Sequence, residues 1–473
     1  MKLNFNLNKL VYKLVLFIIY IAGICFWIYF FNGGSITFLS NDWSKEYTYY
    51  SILKQALITH TIPYNISQQI QGTDRFLANP ETNIFPSILL LPFLSIGKFI
   101  LLHILIMYSF GYFGCLMLLR KYNLSLLPFL FLFSLYNFNG YIISHLSAGH
   151  SMWSGYFLLS IFFYLVFEMI EKDGNSFTSI KLAFILVIIL TAGAVHLYIF
   201  CLMLLFLIAI LNWKYTKSFI YSIGLSLILG LYRLAPAFFA FKNYKPSCKS
   251  GFNTPINFIT ALIAIKPITT FRVVNSFTIG CWEYDIYISI IGVLFLLTFG
   301  IYFSFRNYKD FNQSFKVLLI PLIIIFILSI DNVYGFVTSF LFSILQFERM
   351  PTRFIIIPLV FLFIISSIQM QNVLNSSNNK RIMVMFFYVF FIMLGTLLIE
   401  HSIVWQLKPL EKYLINNNPY LSKVRIINVH DILYKNFIQI SFIISFISLI
   451  IAFFHLINAY IKSKPLHPDI SIL

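Results

Sequence analysis

Two acids follow the first long apolar run of the chain. Asp42 and Glu46 are four residues apart in the segment SNDWSKEY, residues 40–47. If a helix begins here, both carboxylates lie on one of its faces. Paired carboxylates of this kind can do general acid or base chemistry. The same segment also suits a capped interfacial helix with Trp43 and Tyr47 as belt aromatics. Both interpretations stay open at this point.

Three histidines stand at the ends of apolar runs. His145 and His150 are five residues apart across a glycine in HLSAGH, and His196 separates two apolar runs. Zinc sites usually have three or four protein ligands, and the sequence shows no third ligand beside this pair. We therefore predict that these histidines form hydrogen bonds to a substrate. The alternative is that they cap or solvate helix ends at the membrane interface.

Three arginines are candidates for phosphate binding. Arg233 lies inside the apolar run LYRLAP, and Arg349 and Arg353 flank a proline in FERMPTR. A buried arginine is costly unless it is paired, and its planar guanidinium suits phosphate or carboxylate. We predict all three as lipid-phosphate ligands, with Glu348 paired to one of the latter two. The alternatives are a structural ion pair for Arg233 and headgroup contacts for the other two.

A second acidic pair, Glu283 and Asp285, stands in WEYD directly before a helical pattern. Glu283 is predicted to join Asp42 at the acceptor. Alternatively, acids at this position favour the helix dipole. The two carboxylates also suit Mg²⁺ or Mn²⁺, so a divalent cation is a possible cofactor with undefined ligands.

The composition indicates the elements that must position these residues. Hydrophobic residues make up 59% of the 473 residues and charged residues only 10%. Soluble domains carry about 25% charged residues, so an ordinary water-soluble enzyme is excluded. A membrane-spanning helix needs roughly 20 apolar residues. The sequence predicts a single integral-membrane domain over residues 1–473, an all-α polytopic transmembrane bundle of about twelve helices: 11–31, 98–119, 124–144, 152–171, 182–195, 197–212, 219–240, 286–305, 317–330, 353–370, 382–400 and 437–461.

The net charge of +17 is unevenly distributed along this topology, and no nucleic-acid motif accompanies it. Cations gather in alternate short connections, which the positive-inside rule places in the cytoplasm together with both termini. These cations are Arg120, Lys121, Lys172, Lys181, Lys214, Lys217, Arg306, Lys309, Lys316, Lys380 and Arg381.

The remaining connections are predicted to be external. The longest is a first loop over 32–97 that contains interfacial helices, and its part at 85–96 is apolar and broken by two prolines. A second large loop covers 242–285, and 401–436 is an external loop or small cap. Two shorter connections cover 145–151 and 331–352. Cys248 and Cys281 share the second large loop and could pair if it faces an oxidising compartment.

The order of motifs in the first external loop resembles that of GT-C glycosyltransferases. An acid after the first membrane helix is followed by an aromatic-rich helix, IPYN at 62–65, a glycine, ANPE at 78–81 and the proline-broken run. NGY at 139–141, HLSAGH and WEY at 282–284 are similar to segments of bacterial YfhO-like membrane proteins. Together the motifs cover roughly the N-terminal two-thirds of the chain.

The resemblance implies transfer of a sugar from a polyprenyl-phosphate donor to a lipid or glycan acceptor, on the external face of a bacterial plasma membrane. It assigns the base to Asp42, with Glu46 as a second candidate because it is close by. A polytopic transporter or lipid flippase, and a noncatalytic scaffold subunit, remain as alternatives. If the enzyme interpretation holds, Asp42, His150, Arg233 and Glu283 should converge on one external cavity.

Overall fold

The computed structural model describes residues 2–38, 41–70, 72–241, 250–266, 273–274, 277–278, 280–308, 312–340, 348–407, 424–427 and 431–463. These segments are predominantly helical, with two small hairpins, so the predicted all-α class is confirmed. The α-helices are α1 Lys2–Phe30, α2 Trp43–Ile58, α3 Ile96–Lys121, α4 Leu126–Phe138, α5 Gly140–Ser147, α6 Leu159–Glu171, α7 Ser176–Thr191, α8 Val195–Leu211, α9 Thr216–Leu229, α10 Leu231–Phe241, α11 Pro255–Ile263, α12 Ser289–Phe295, α13 Phe303–Arg306, α14 Gln313–Ile327, α15 Asp331–Phe340, α16 Ile356–Ser376, α17 Lys380–Val404 and α18 Ile432–Ser463.

Among the described residues, eight helical stretches are long and apolar enough to cross a membrane. They are Leu10–Phe30, Ile96–Lys121, Leu126–Ser147, Ser151–Glu171, Cys281–Arg306, Pro351–Ser376, Lys380–Val404 and Ile432–Asn458. Two further helical segments, Val195–Leu211 and Trp213–Leu229, are long and apolar enough when taken together, but the chain bends by 117° between them. The apolar runs predicted near 182–195, 219–240 and 317–330 include helices of only 10–17 residues. These lengths fall short of the roughly 20 residues of a full span, so a bundle of twelve crossings stays a prediction.

The centre of the bundle is formed by two of these stretches. In the most apolar 18 residues of each stretch, 89% of the residues of Ser151–Glu171 and 94% of those of Pro351–Ser376 are buried. The corresponding share in Lys380–Val404 is 11%. Close packing at the centre depends on small residues: a Cβ on Gly114 of α3 would lie 2.1 Å from Ser160 Oγ. Small residues of this kind let membrane helices approach each other closely.

The first loop folds against the same end of the bundle as the turn between α5 and α6. It contains α2, a hairpin of β1 Asn65–Ile70 with β2 Thr73–Arg75, and short 3₁₀ helices. The segment predicted to lie in the membrane interface contains a 3₁₀ helix, Pro86–Phe93. Its side chains Leu89, Leu90 and Phe93 are exposed, which gives this end of the molecule an apolar surface patch.

The connection before α18 pairs with this hairpin. Ile66 of β1 forms a bridge with Ile426, and Ser67 N donates to Arg425 O at 2.9 Å. In the second large loop, the residues described include α11 and a hairpin of β3 Val273–Val274 with β4 Phe277–Thr278. Cys248 and most of the cap predicted at 401–436 lie outside the described residues.

Candidate functional site

Asp42 precedes α2, but its side chain does not cap that helix. Its Oδ2 instead accepts a hydrogen bond from His150 Nε2 at 2.9 Å and lies 3.4 Å from Lys45 Nζ. The Asp42 side chain is 36% exposed, whereas that of His150 is 3% exposed. The carboxylate is therefore held from the protein side and accessible from the other.

A glycine turn brings the two partners together. The Asp42 main-chain N donates to Ala148 O at 3.0 Å, and Trp43 Nε1 donates to Ser147 O at 2.9 Å. Gly149 has a φ of +94°, and a Cβ there would lie 2.6 Å from Trp43 N. Glycine adopts this φ readily and allows the close approach. The HLSAGH motif thus serves to dock one turn against the start of α2.

The acids Asp42 and Glu46 have opposite electrostatic environments. Burial would raise the pKa of Asp42, but the hydrogen bond from His150 and the charge of Lys45 together hold it well below its usual range. Glu46 is 3% exposed, and burial raises its pKa to about 8 despite the nearby Lys45 and a hydrogen bond from Ser151. At neutral pH, Asp42 is an anion and Glu46 is mostly a neutral acid.

A chain of charged groups continues inward from Asp42. Lys45 Nζ lies 3.2 Å from Glu81 Oε2. The other carboxylate oxygen of Glu81, Oε1, lies 3.7 Å from His196 Nε2. His196 Nδ1 is 2.6 Å from Glu348 Oε2. Burial would lower the pKa of Lys45, but the charges of Glu81 and Asp42 outweigh it and raise the pKa. Burial likewise opposes ionisation of Glu348, and the charges of His196 and Arg353 lower its pKa overall.

Arg353 closes this chain at its inner end. Its Nε and Nη2 donate to the two oxygens of Glu283 at 2.8 and 2.5 Å, and Nη1 lies 3.5 Å from Glu348 Oε1. The predicted pairing of Glu348 with one of the two neighbouring arginines is thus present. Since a carboxylate occupies the Arg353 fork, the predicted phosphate contact would require that ion pair to open.

Trp153 links the histidines to this chain. Its ring stacks on His145 with centroids 4.7 Å apart and lies nearly parallel to His196 at 6.2 Å. Arg353 Cζ lies 5.6 Å from the centre of the Trp153 ring. His145 and His150 have ring centroids 5.3 Å apart. The structure therefore brings together all three histidines, Asp42, Glu283 and Arg353. We refer to these residues, together with Lys45, Glu46, Glu81, Glu348 and Trp153, as the charged centre.

Several polar atoms at this centre are buried without a hydrogen-bond partner in the described structure. They are Glu46 Oε1, His145 Nδ1 and Nε2, His150 Nδ1 and Trp153 Nε1. A buried polar atom without a partner costs about 1–3 kcal/mol, and such atoms usually have a structural or functional explanation. Their concentration around Trp153 marks this region as one suited to a polar ligand.

Arg233 is buried but does not join the ion-pair chain. Its Nη2 donates to the main-chain carbonyls of Asn79, Pro80 and Thr82 at 3.1, 3.0 and 2.6 Å. The prediction that it binds lipid phosphate, or pairs with a carboxylate, missed these partners, because sequence gives no sign of a curled main chain. Arg233 instead fixes the segment that carries Glu81.

The remaining predicted residues, Arg349 and Asp285, have partners outside the ion-pair chain. Arg349 has an exposed side chain, and its main-chain O accepts from Ser250 N at 3.1 Å. Asp285 accepts from His401 Nε2 at 3.0 Å and Trp405 Nε1 at 2.6 Å. Asp285 and Glu283 therefore have different partners, which argues against their sharing a cation.

Within the described residues, no group of three or more His, Cys, Asp or Glu side chains is arranged to hold a metal ion. The sequence interpretation also missed three members of the centre: Lys45, Glu81 and Trp153. Glu81 stands inside the ANPE motif and Lys45 between the two acids, so both could have been found there. Trp153 sits in an apolar stretch and gave no signal.

Comparison with known proteins adds no family assignment. The chain matches no protein-family model, and no curated protein is similar to it in sequence. The GT-C resemblance therefore stays a prediction that depends on the motifs and on the site formed by them.

Proposed function

We propose that the chain is an integral-membrane glycosyltransferase that uses a polyprenyl-phosphate sugar donor, with Asp42 as the base toward the acceptor. The observation that carries this proposal is the contrast between two neighbouring acids, Asp42 directly before α2 and Glu46 within it. Asp42 is ionised and partly exposed, whereas Glu46 is buried and its pKa is raised to about 8. Neighbouring carboxyl groups with pKa values pushed apart are typical of acid and base positions in active sites.

The proposed reaction is a direct displacement at the anomeric carbon. The acceptor hydroxyl donates a hydrogen bond to Asp42, and its proton moves to the carboxylate as the new C–O bond forms. The bond from the anomeric carbon to the phosphate oxygen breaks, and its electron pair leaves with the polyprenyl phosphate. Attack opposite the leaving group inverts the anomeric carbon.

His150 and Lys45 support this role by fixing the carboxylate. Both contact Oδ2 of Asp42, so Oδ1 is the oxygen proposed to meet the acceptor. A low pKa makes Asp42 a weak base but keeps it ionised at all physiological pH values. His145, His196 and the atoms around Trp153 are proposed to contact the sugar.

The donor is proposed to bind between this centre and the lipid. The exposed apolar residues of Pro86–Phe93 suit contact with the membrane, and α2 packs against this 3₁₀ helix. Arg349 remains the proposed phosphate ligand because its side chain is exposed. Arg353 is instead proposed to position Glu283 and Glu348. The site would face the outside of a bacterial plasma membrane, with both termini in the cytoplasm.

A matched pair of substitutions tests this proposal. The full chain in nanodiscs is supplied with radiolabelled polyprenyl-phosphate glucose, mannose or galactose, and sugar transfer to extracted glycan and lipid acceptors is measured. Asp42→Asn should lower transfer by about 100-fold or more, the range for loss of a catalytic base. Asp173→Asn is the control, because Asp173 pairs with Lys214 outside the site. Undiminished transfer by folded Asp42→Asn protein would remove the proposed base.

Transport is the second candidate, and one arrangement favours it. Acids and bases, most of them buried or half-buried, alternate from Asp42 to Glu283. The helices α8 and α9 also belong to a pair of helical segments bent by 117°. Broken helices and intramembrane ionisable residues are common in transporters. Proton or lipid flux in proteoliposomes, reduced by Glu348→Gln and accompanied by no sugar transfer, would favour transport. A noncatalytic scaffold would show neither activity.

A further inference from the structure

A second feature lies away from the charged centre, between α13, α14 and α16. Here an apolar groove of about 270 Å³ runs along the surface of the bundle. Lys316 lines the groove near the start of α14, and Phe326 lines it one residue before that helix ends. The rim includes Ile301, Phe305 and Ile323, whose side chains are substantially exposed.

The groove has the length of one membrane leaflet. Lys316 and Phe326 are ten residues apart on one helix, which corresponds to about 15 Å at 1.5 Å per residue. The hydrocarbon core of a bilayer is about 30 Å thick, so one leaflet contributes about half of that. A single acyl chain entering from the Lys316 end would therefore reach the bilayer midplane where the groove ends.

A polar pocket adjoins the groove at the same lysine. This pocket of about 490 Å³ is lined by Asn212, Gln313, Lys316 and Val317. Lys316 Nζ also lies 5.5 Å from the centre of the Tyr308 ring, which is itself part of the groove lining. An apolar slot and a polar pocket that share one cation match the two ends of an anionic lipid.

The backbone of the groove wall is also unusual. Gly300 and Ile301 belong to a π-helical stretch, Leu296–Tyr302, between α12 and α13. π-Helical turns are rare and are frequent at functional sites. Gly300 and Ile301 of this stretch line the groove together with residues of α13, α14 and α16.

We propose that this groove binds one acyl chain of an anionic phospholipid, whose phosphate lies at Lys316 in the adjoining polar pocket. The occupant belongs to the leaflet on the Lys316 side of the membrane. The groove length matches one leaflet, and Lys316, the one cation among the groove-lining residues that the structure describes, stands at its polar end. This binding site is independent of the glycosyltransferase proposal.

Lipid binding to the purified full chain tests the proposal. Native mass spectrometry compares phosphatidylglycerol and phosphatidylcholine with identical acyl chains, titrated onto delipidated protein. Phosphatidylglycerol should bind about fivefold more tightly, the effect expected of one lysine beside an anionic headgroup. Lys316→Gln should abolish this preference. Lys181→Gln should retain it, because Lys181 also lies over an aromatic ring, that of Phe177, but does not line the groove. An unchanged preference in Lys316→Gln would overturn the headgroup position.

A second pair of variants tests the slot itself. Ile323 lies at the rim of the groove, so Ile323→Trp should weaken the binding of both lipids. Ile320→Trp should leave the binding of both unchanged, because Ile320 is exposed on the same helix but is not part of the groove lining. If Ile323→Trp fails to fold by size exclusion and circular dichroism, Ile323→Phe replaces it. Equal binding by the two variants would overturn the groove as the acyl-chain site.

Two competitors identify the occupant. Excess inorganic phosphate should not displace phosphatidylglycerol, because phosphate lacks the chain that occupies the groove. Displacement by phosphate would show that the site recognises the anion alone. Tighter, Lys316-dependent binding of polyprenyl phosphate would show that the phospholipid is the wrong occupant.

Discussion

The acid pair Asp42 and Glu46 shows how one helical turn can separate two chemically similar groups. Asp42 has a hydrogen-bonded histidine, a lysine and partial solvent access, whereas burial dominates at Glu46. Glu46 Oε2 accepts from Ser151, which lies 2.8 Å from Tyr50 Oη. The neutral form of Glu46 thus belongs to a buried hydrogen-bond network. Its protonation should therefore affect stability.

Glu46→Gln should remove a pH dependence of unfolding. The pKa of Glu46 is raised from 4.5 to about 8 in the folded state. The folded protein therefore binds the extra proton, and the resulting stability is present below pH 4.5 and lost as pH rises through 8. Within this window the free energy of unfolding should fall by up to about 1.4 kcal/mol per pH unit. Thermal unfolding between pH 5 and 9 should show this fall in the wild type and not in Glu46→Gln.

The control for this experiment is Glu171→Gln, a carboxylate paired with Lys121 and 26% exposed. It should keep the wild-type pH slope. Parallel curves for the wild type and Glu46→Gln would contradict the buried, protonated state of Glu46.

At the scale of elements, the contact between the HLSAGH turn and α2 depends on one glycine. Gly149→Ala forces a side chain into a positive-φ conformation and against Trp43 N. We expect a loss of about 1–3 kcal/mol in stability, together with weaker docking of His150 on Asp42. Scanning fluorimetry measures the first effect, and sugar transfer measures the second.

Gly33→Ala separates strain from contact. Gly33 has a φ of +62°, but a Cβ there would have no atom within 4 Å. This variant should therefore show only the conformational cost. Similar losses of stability for Gly33→Ala and Gly149→Ala would mean that the close approach to α2 contributes little.

At the scale of the whole molecule, the first loop is fastened to the last helix. Arg75 Nη2 lies 2.7 Å from Asp431 Oδ2, with side chains 29% and 24% exposed. The Arg75 guanidinium also lies 4.8 Å from the ring centre of Phe239 and 5.1 Å from that of Tyr434. This cluster connects β2, α10 and α18.

A double-mutant cycle with Arg75→Ala and Asp431→Asn should therefore give a coupling free energy of about 1 kcal/mol in denaturant unfolding. The matching cycle for Lys214 and Asp173, with side chains 54% and 65% exposed, should give a coupling near zero. Equal coupling in the two cycles would show that the first loop is not fastened by Arg75.

The packing of the helices explains which parts of the fold and of the site could be predicted from the sequence. Hydropathy located the eight long apolar helices of the described residues, and local spacing identified Asp42, Glu46 and the HLSAGH motif as candidates. The pairing of Arg353 with Glu283 depends on how helices far apart in sequence are rotated and shifted against each other. Apolar periodicity does not determine those variables in a bundle that is apolar nearly all round. The partners of Arg233 were missed for a different reason, because the sequence gives no sign of the main-chain path at 77–82 that presents its carbonyls.

The hydrogen bonds of Arg233 affect which substitutions the first loop can accept. Arg233 recognises the main-chain oxygens of Leu77, Asn79, Pro80 and Thr82, which every amino acid provides. These hydrogen bonds therefore do not depend on which side chains the segment carries. Asn79 and Glu81 are different, because Asn79 Nδ2 donates to Tyr49 Oη and Asn79 Oδ1 accepts from Glu81 N. Glu81 also pairs with Lys45. A laboratory library at positions 77, 78, 80 and 82 that retains Arg233, Asn79 and Glu81 would be a natural starting point for altering which acceptor is used.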